Sequence, residues 1–319
     1  MIGDGMVRKA TRVNQGDLRW GQDGVHAQTS RRAGGAGVRA AIVAMKLRNW
    51  SGAKGAQEGG DVKTRPMEAR PTPVLEAKQV GEVQARWAWT EPAVWTERML
   101  AALEVGVKGG IWFSLIDKVY KRRNLQAGFA KVKANQGAAG VDHQTIEMFE
   151  ADLDTNLGKV TQQLAEGRYR PQAVRRKWIA KPGSSEKRPL GIPTVRDRVV
   201  QTALRNVLEP IFERDFAEHS YGFRPRRGCK DALRRVDHLL KAGYTWVVDA
   251  DLQSYFDTIP QGKLLEQVAK KVADSRVLEL VEAMLRQGVM EGLDHWKPTT
   301  GTPQGAVISP LLSLSLIHI

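Results

Sequence analysis

A chain of 319 residues with 49 Lys and Arg against 35 Asp and Glu carries a formal charge of +14. That balance excludes an acidic surface and points to a polyanionic partner, nucleic acid before anionic lipid. A single cysteine, Cys229, excludes an internal disulfide framework. No Cys/His group has zinc spacing, and no apolar run approaches the roughly 18 residues of a membrane helix, so a cytoplasmic protein is expected.

Residues 1–85 show no sustained periodicity, and their Gly-rich segments bury too little apolar surface to offset chain entropy. A disordered basic arm is expected there, with Met45 a candidate true start. Residues 86–170 read as a helical extension. Trp95, Met99, Leu100 and Leu103 sit at helical spacing, and a second helix is expected from Ile111 to Arg123. After a loop at 137–142, Ile146, Phe149, Leu153, Leu157, Val160 and Leu164 form one stripe of a helix from Thr145 to Glu166.

Residues 171–319 begin with a hairpin. Val174 to Ala180 can extend, residues 181–186 turn, and Arg188 to Ile192 return. Thr194 or Asp197 can cap a helix with Val200, Leu204, Val207, Leu208 and Ile211 on its apolar face. A further helix from Lys230 places Leu233, Val236, Leu239 and Leu240 inward and stops at Gly243. Strand Thr245 to Asp251 follows, then helices near Lys263–Val272 and Val277–Gln287 and a Gly/Pro-punctuated loop around Gln304. Helices alternating with short strands, after a helical lead-in, give an α+β class.

Two segments carry chemistry. Trp246-Val247-Val248-Asp249-Ala250-Asp251 is an apolar strand ending in carboxylates, which is how rigid backbone delivers hard oxygen ligands to Mg²⁺. Asp249 shares a face with Asp251 by the two-residue period, and Ala250 points the other way. In isolation, such a pair is more often a solvated edge or a helix cap. Between Arg168 and Arg198 there are ten Lys/Arg and two acids, Glu186 and Asp197. A solvated face is the plainer reading of a charge run. Here the charges flank a hairpin and interleave with Tyr169 and Trp178, which favours phosphate contact.

Four ordered blocks turn the balance. Asp251 with Tyr255-Phe256-Asp257 resembles the first catalytic motif of reverse transcriptases. Lys181-Pro182-Gly183 followed by Lys187-Arg188-Pro189-Leu190-Gly191-Ile192-Pro193 resembles the fingers hairpin of group II intron reverse transcriptases. Ser220-Tyr221-Gly222-Phe223-Arg224-Pro225-Arg226-Arg227 and Gly301-Thr302-Pro303-Gln304-Gly305 match further blocks of that family in the same order, and 137–142 resembles its amino-terminal extension.

The resemblance implies a right-hand polymerase's fingers and partial palm, with a small antiparallel sheet, over about Trp95 to Leu312. It implies an RNA-directed DNA polymerase with a maturase role, and Mg²⁺ in a two-metal site held by Asp251 and the Leu252 carbonyl. Lys181, Arg188, Phe256, Gln304 and Gly305 would face a deoxynucleoside triphosphate, Phe256 as the ring that excludes a 2′-hydroxyl. Arg175, Arg176, Tyr221, Arg224, Arg226 and Arg227 would hold intron RNA or a template–primer duplex. Asp257 is expected to cap the following turn. No Tyr-Ala-Asp-Asp run occurs in the 319 residues, so the expectation is a chain cut short of that motif and inactive alone. Its rivals are a non-catalytic RNA-binding module and a reverse transcriptase of another bacterial retroelement, diversity-generating or abortive-infection in type. A homodimer is possible and not inferable.

Overall fold

The computed structural model describes residues 6–12, 19–21, 24–26, 43–44, 77–180, 183, 185–244, 246–252 and 254–318. At 77–80, 108, 248 and 251, and before residue 45, only the backbone is described. Lys181, Thr245 and the candidate start at Met45 therefore lie outside the described residues, as does the side chain of Asp251.

The core is a helical layer wrapped around one long buried helix. Of the helices preceding it, α1 (Ala77–Trp87) and α2 (Glu97–Val105) pack together. They are followed by α3 (Ile116–Tyr120), α4 (Arg122–Ala134), α5 (Ile146–Ala151) and α6 (Leu153–Ala165). The long helix is α7 (Val195–Glu213). Its expected stripe, Val200, Leu204, Val207, Leu208 and Ile211, is at most 2% exposed, and each such side chain contributes roughly 1.5–3 kcal/mol by leaving water. Thr194, not Asp197, is the cap: its hydroxyl accepts from the Asp197 N–H at 3.1 Å. Close approach of α4 needs Gly128, where a Cβ would lie 2.9 Å from the Val199 carbonyl oxygen. Polar pins cross the same seam: the Asn124 amide donates to the Ala203 carbonyl and the Asn206 amide to Asn124.

Two expected helices are each divided. The stripe from Thr145 to Glu166 is continuous, yet the backbone breaks at Asp152 (φ −118°, ψ 39°). The Asn156 side chain satisfies the Phe149 carbonyl that the helix leaves open. Residues 111–123 give α3 and the start of α4 instead of one helix. Trp112 bridges in parallel to Val272, and the Asp274 carboxylate accepts from the Leu115 and Ile116 N–H groups. The same carboxylate caps a later helix, so one side chain fixes two starts.

Strands β5 (Val174–Ala180) and β6 (Lys187–Ile192) form the expected hairpin. The sheet is mixed and not purely antiparallel. β8 (Val289–Glu291) joins β5 in parallel and β9 (Asp294–Trp296) pairs antiparallel with β8, giving the order β6-β5-β8-β9. A long helical crossover returns the chain in the same direction, which hairpins alone cannot do.

The crossover holds α8 (Cys229–Lys241), β7 (Trp246–Leu252), α9 (Tyr255–Thr258), α10 (Gln261–Ala269) and α11 (Ser275–Leu285), and α12 (Ser309–His318) follows the sheet. Of the inward face expected on α8, Leu240 is buried, and Leu233, Val236 and Leu239 are half-buried. The arm that the sequence left without elements contains β1 (Met6–Arg12), β2 (Arg19–Gly21), β3 (Gly24–His26) and β4 (Val43–Ala44). Strand β7 lies between β1 and β4, with Asp251 opposite Val7. Among the described residues no helix is long and apolar enough to cross a membrane.

Candidate active site

Two sequence-distant segments meet at Gln304. After β7 the chain leaves its sheet through Ser254, whose φ of +48° makes the sharp turn into α9. This presents Phe256, half-buried, and Asp257, exposed. Loop 300–305 then packs directly on α9. The Thr302 N–H donates to the Phe256 carbonyl and the Gly301 N–H to the Ile259 carbonyl, both at 2.7 Å. Gly301 is required there: its φ is +81°, and a Cβ would lie 2.7 Å from the Phe256 carbonyl oxygen. Buried Gln261 holds the loop from beneath, donating to the Gly301 and Leu285 carbonyls.

The loop is clamped equally to the hairpin. The Gly191 N–H donates to the Gln304 carbonyl at 2.6 Å. Gly305 has φ +102°, and a Cβ there would lie 2.6 Å from the Gly191 carbonyl oxygen. The Gln304 side-chain amide donates to the Asp257 carboxylate at 3.0 Å. Both Gln304 and Asp257 line the adjoining cavity. The Asp257 carboxylate thus meets the Gln304 amide, where a cap on the following turn was expected.

The resulting cavity has a volume of about 370 Å³, and its walls include Arg176, Phe256, Trp296, Lys297 and Gln304. Strand alternation decides which hairpin cations reach it. Arg176 and Trp178 stand on one face, opposite Gly191 and Pro189. Arg188 stands opposite Ile179, on the reverse face with Arg175 and Lys177. The structure therefore brings Arg176, expected against RNA, into the cavity wall. It leaves Arg188, expected at the nucleotide, exposed on the other side. Residues 188 and 191 are three apart, so opposite faces were readable from spacing alone. Trp296 and Lys297 carried no such signal, because the short pair β8–β9 has no alternating apolar pattern.

The remaining expected contacts divide by burial. Arg224 is 6% exposed and turned inward. It forks onto the Glu213 carboxylate at 2.7–3.1 Å, donates to the Ser220 carbonyl and lies over the Phe216 ring. It organises the 217–224 turn instead of facing solvent. Arg226 is exposed and reaches the Ala85 carbonyl. Arg227 is half-buried, with contacts to Glu213 and the Glu218 carbonyl, and the half-buried Tyr221 faces His219. Arg175 donates to the Ala139 carbonyl and Arg198 to that of Ala138, drawing loop 137–142 onto the hairpin base.

Beneath this base, Asp197 is fully buried and accepts from the Tyr169 hydroxyl at 2.5 Å and the Gln172 N–H at 2.9 Å. Burial, then the Asp197 charge, pushes the Tyr169 phenol well above its ordinary value. Burial also pushes the Tyr255 phenol, which donates to the Ser313 carbonyl, up to about 12.

Carboxylate oxygen is the right donor for Mg²⁺, and Asp249 and Asp251 both lie in the sequence of strand β7. Among the described residues, however, no group of three or more His, Cys, Asp or Glu assembles. The described donors do not by themselves complete a site.

Residues 179–319 match the family described as "Reverse transcriptase (RNA-dependent DNA polymerase)". The group II intron-encoded protein LtrA of Lactococcus lactis subsp. cremoris is 36% identical over 192 residues, covering 60% of this chain and 31% of that protein. Protein YkfC of Escherichia coli (strain K12) is 35% identical over 241 residues, covering 73% and 58%. Residues 179–319 are thus a reverse transcriptase domain by family, and the chain is similar to group II intron-encoded proteins. It spans less than two thirds of either relative's length. A solved partial Cas6-RT-Cas1--Cas2 complex is similar at a TM-score of 0.44 and 20% identity, over 64% of this chain and 34% of that one. As a family, reverse transcriptases work on a nucleic-acid template and use divalent metal ions.

Proposed function

We propose that this chain forms the fingers and part of the palm of an RNA-directed DNA polymerase, preceded by a helical extension over 86–170 and a basic arm over 1–85. The incoming deoxynucleoside triphosphate would enter the 370 Å³ cavity. The observation that carries this reading is the double clamp on Gln304, by Gly191 from the hairpin and Asp257 from the segment after β7. A rigid loop with one aimed amide beside a half-buried ring suits recognition of a nucleotide's sugar and base.

Asp251 and the Leu252 carbonyl are the proposed Mg²⁺ donors. That ion would activate a primer hydroxyl and neutralise phosphate charge. Arg176 and Lys297 supply cations to the triphosphate from within the cavity, and Lys181 from the hairpin turn, while Arg188 on the reverse face is left to the RNA. Intron RNA is the proposed macromolecular partner, held by exposed cations such as Lys177, Lys187, Arg188 and Arg226.

The test is stabilisation of a template–primer complex. With an RNA template, DNA primer and Mg²⁺, the templated deoxynucleotide should slow dissociation of the complex more than mismatched deoxynucleotides do, and more than the matching ribonucleotide does. Equal effects of all nucleotides would contradict the reading.

A second reading, an RNA-holding module without chemistry, is favoured by the exposed cationic reverse face of the hairpin. Salt-sensitive RNA binding with no response to nucleotides would select it.

A further inference from the structure

Beyond the cavity, the same sheet face continues as an aromatic surface. Trp178 on β5 and Trp296 on β9 are large side chains left 46% and 38% exposed. Arg176 lies between them in the fold, its guanidinium carbon 5.8 Å from the Trp178 ring centre and 5.3 Å from that of Trp296. The Trp178 indole N–H donates to the Glu291 carboxylate at 2.6 Å, which fixes the ring's orientation. Trp296 and Arg176 also line the cavity that holds Phe256 and Gln304, with Lys297 next in sequence.

A structural clamp is the plainer account, since a cation over two rings ties β9 to the sheet. A clamp alone leaves the exposure unexplained: burying these indoles would be favoured by their area, and both keep a third or more of it in solvent. Rigid, half-exposed indoles beside cations, on a chain of formal charge +14, have the composition of a base-stacking surface. Every nucleobase offers a π face to such rings, whatever the sequence.

We propose that Trp178 and Trp296, joined by Arg176, form a stacking platform for unpaired nucleobases of a single-stranded nucleic acid at the rim of the nucleotide cavity. This rests on the RNA-binding part of the function proposed above and adds the chemistry by which that strand is held. Arg176 keeps both rings in place, and Lys297 can meet the phosphate that follows a stacked base.

The experiment uses the whole chain and fluorescently labelled single-stranded RNA of about 10 nucleotides, a length within the usual site sizes. Affinity is measured by anisotropy across a salt series, for an ordinary strand and for one with abasic positions. Trp296→Ala and Trp178→Ala should each weaken binding to the ordinary strand by roughly 5- to 100-fold. The slope of log affinity against log salt should stay unchanged, because no phosphate contact is removed. On the abasic strand the variants should match the unsubstituted chain, and Trp296→Phe should recover most of the lost affinity.

Equal losses on both strands, or none, would overturn the platform. The first outcome leaves the rings a structural clamp, and the second a surface for a protein. If the unsubstituted chain bound no RNA at all, the RNA-binding reading would fail first and this inference with it.

Discussion

Gly191 and Gln304, separated by more than a hundred residues, share a hydrogen bond of 2.6 Å from the N–H of one to the carbonyl of the other. This bond joins the basic hairpin to the loop that aims the Gln304 amide. The site therefore does not belong to either segment alone: moving the hairpin moves the glutamine.

Gly305→Ala tests the joint. The substitution forces an L side chain into φ +102° and against the Gly191 carbonyl at 2.6 Å. Strain of this kind costs about 1–3 kcal/mol before the clash is counted. Urea denaturation should show a loss of about 2 kcal/mol or more, and deoxynucleotide affinity should fall with it. A variant of unchanged stability would show that the loop is not held against β6.

Asp257→Asn tests the orientation of the amide. The replacement keeps the shape but removes the charge that selects the Gln304 N–H₂ group, so the Gln304 side chain can turn over. At an exposed site the lost preference is worth about 1 kcal/mol, or roughly a five-fold weaker deoxynucleotide complex with unchanged RNA affinity. Equal weakening of RNA and nucleotide would point to a general disturbance of α9 instead.

The arginines of the 220–227 turn should separate cleanly. Arg224→Ala leaves the half-buried Glu213 carboxylate without its fork, a loss of about 1–3 kcal/mol for a charged hydrogen-bonded partner. Its signature is a lowered melting temperature. Arg226→Ala should leave stability within about 0.5 kcal/mol and reduce the salt slope of RNA binding by about one phosphate contact. Reversed signatures would mean that Arg224 is the RNA contact.

Much of this site was readable in the chain, and its failures are instructive. The hairpin, the capped α7 and its buried stripe follow from turn residues, a Thr cap and 3.6-residue periodicity, all of them local signals. The break at Asp152 and the late start of α3 at Ile116 do not, because each involves a side chain meeting a carbonyl or N–H that sequence spacing does not reveal: Asn156 in one case and Asp274, 158 residues away, in the other. Similarly, Arg224 reads as a phosphate contact by type, and only the position of Glu213 shows that it is turned inward. Arg176 and Arg188 stand on opposite faces of the hairpin by strand parity, which was legible, although the charge of the segment was more conspicuous.

Alkaline pH should expose the burial of Tyr255. Its folded pKa, raised to about 12 from an ordinary 10, means that the folded state holds the phenolic proton more tightly than the unfolded state does. The stabilising contribution is then fully present below pH 10 and is lost as pH rises from 10 through 12. Stability of Tyr255→Phe, measured by denaturation against pH, should decline less steeply across that window than that of the unsubstituted chain. Parallel curves would contradict the assignment.

Photo-crosslinking tests the central claim most directly, because it needs no turnover. A deoxynucleoside triphosphate with a photoreactive base, bound beside an RNA template and DNA primer, should label peptides carrying Phe256, Trp296 or Gln304, and excess natural triphosphate should abolish the labelling. Competable labelling confined to other segments, with these three peptides unmodified, would place the nucleotide elsewhere and contradict the account.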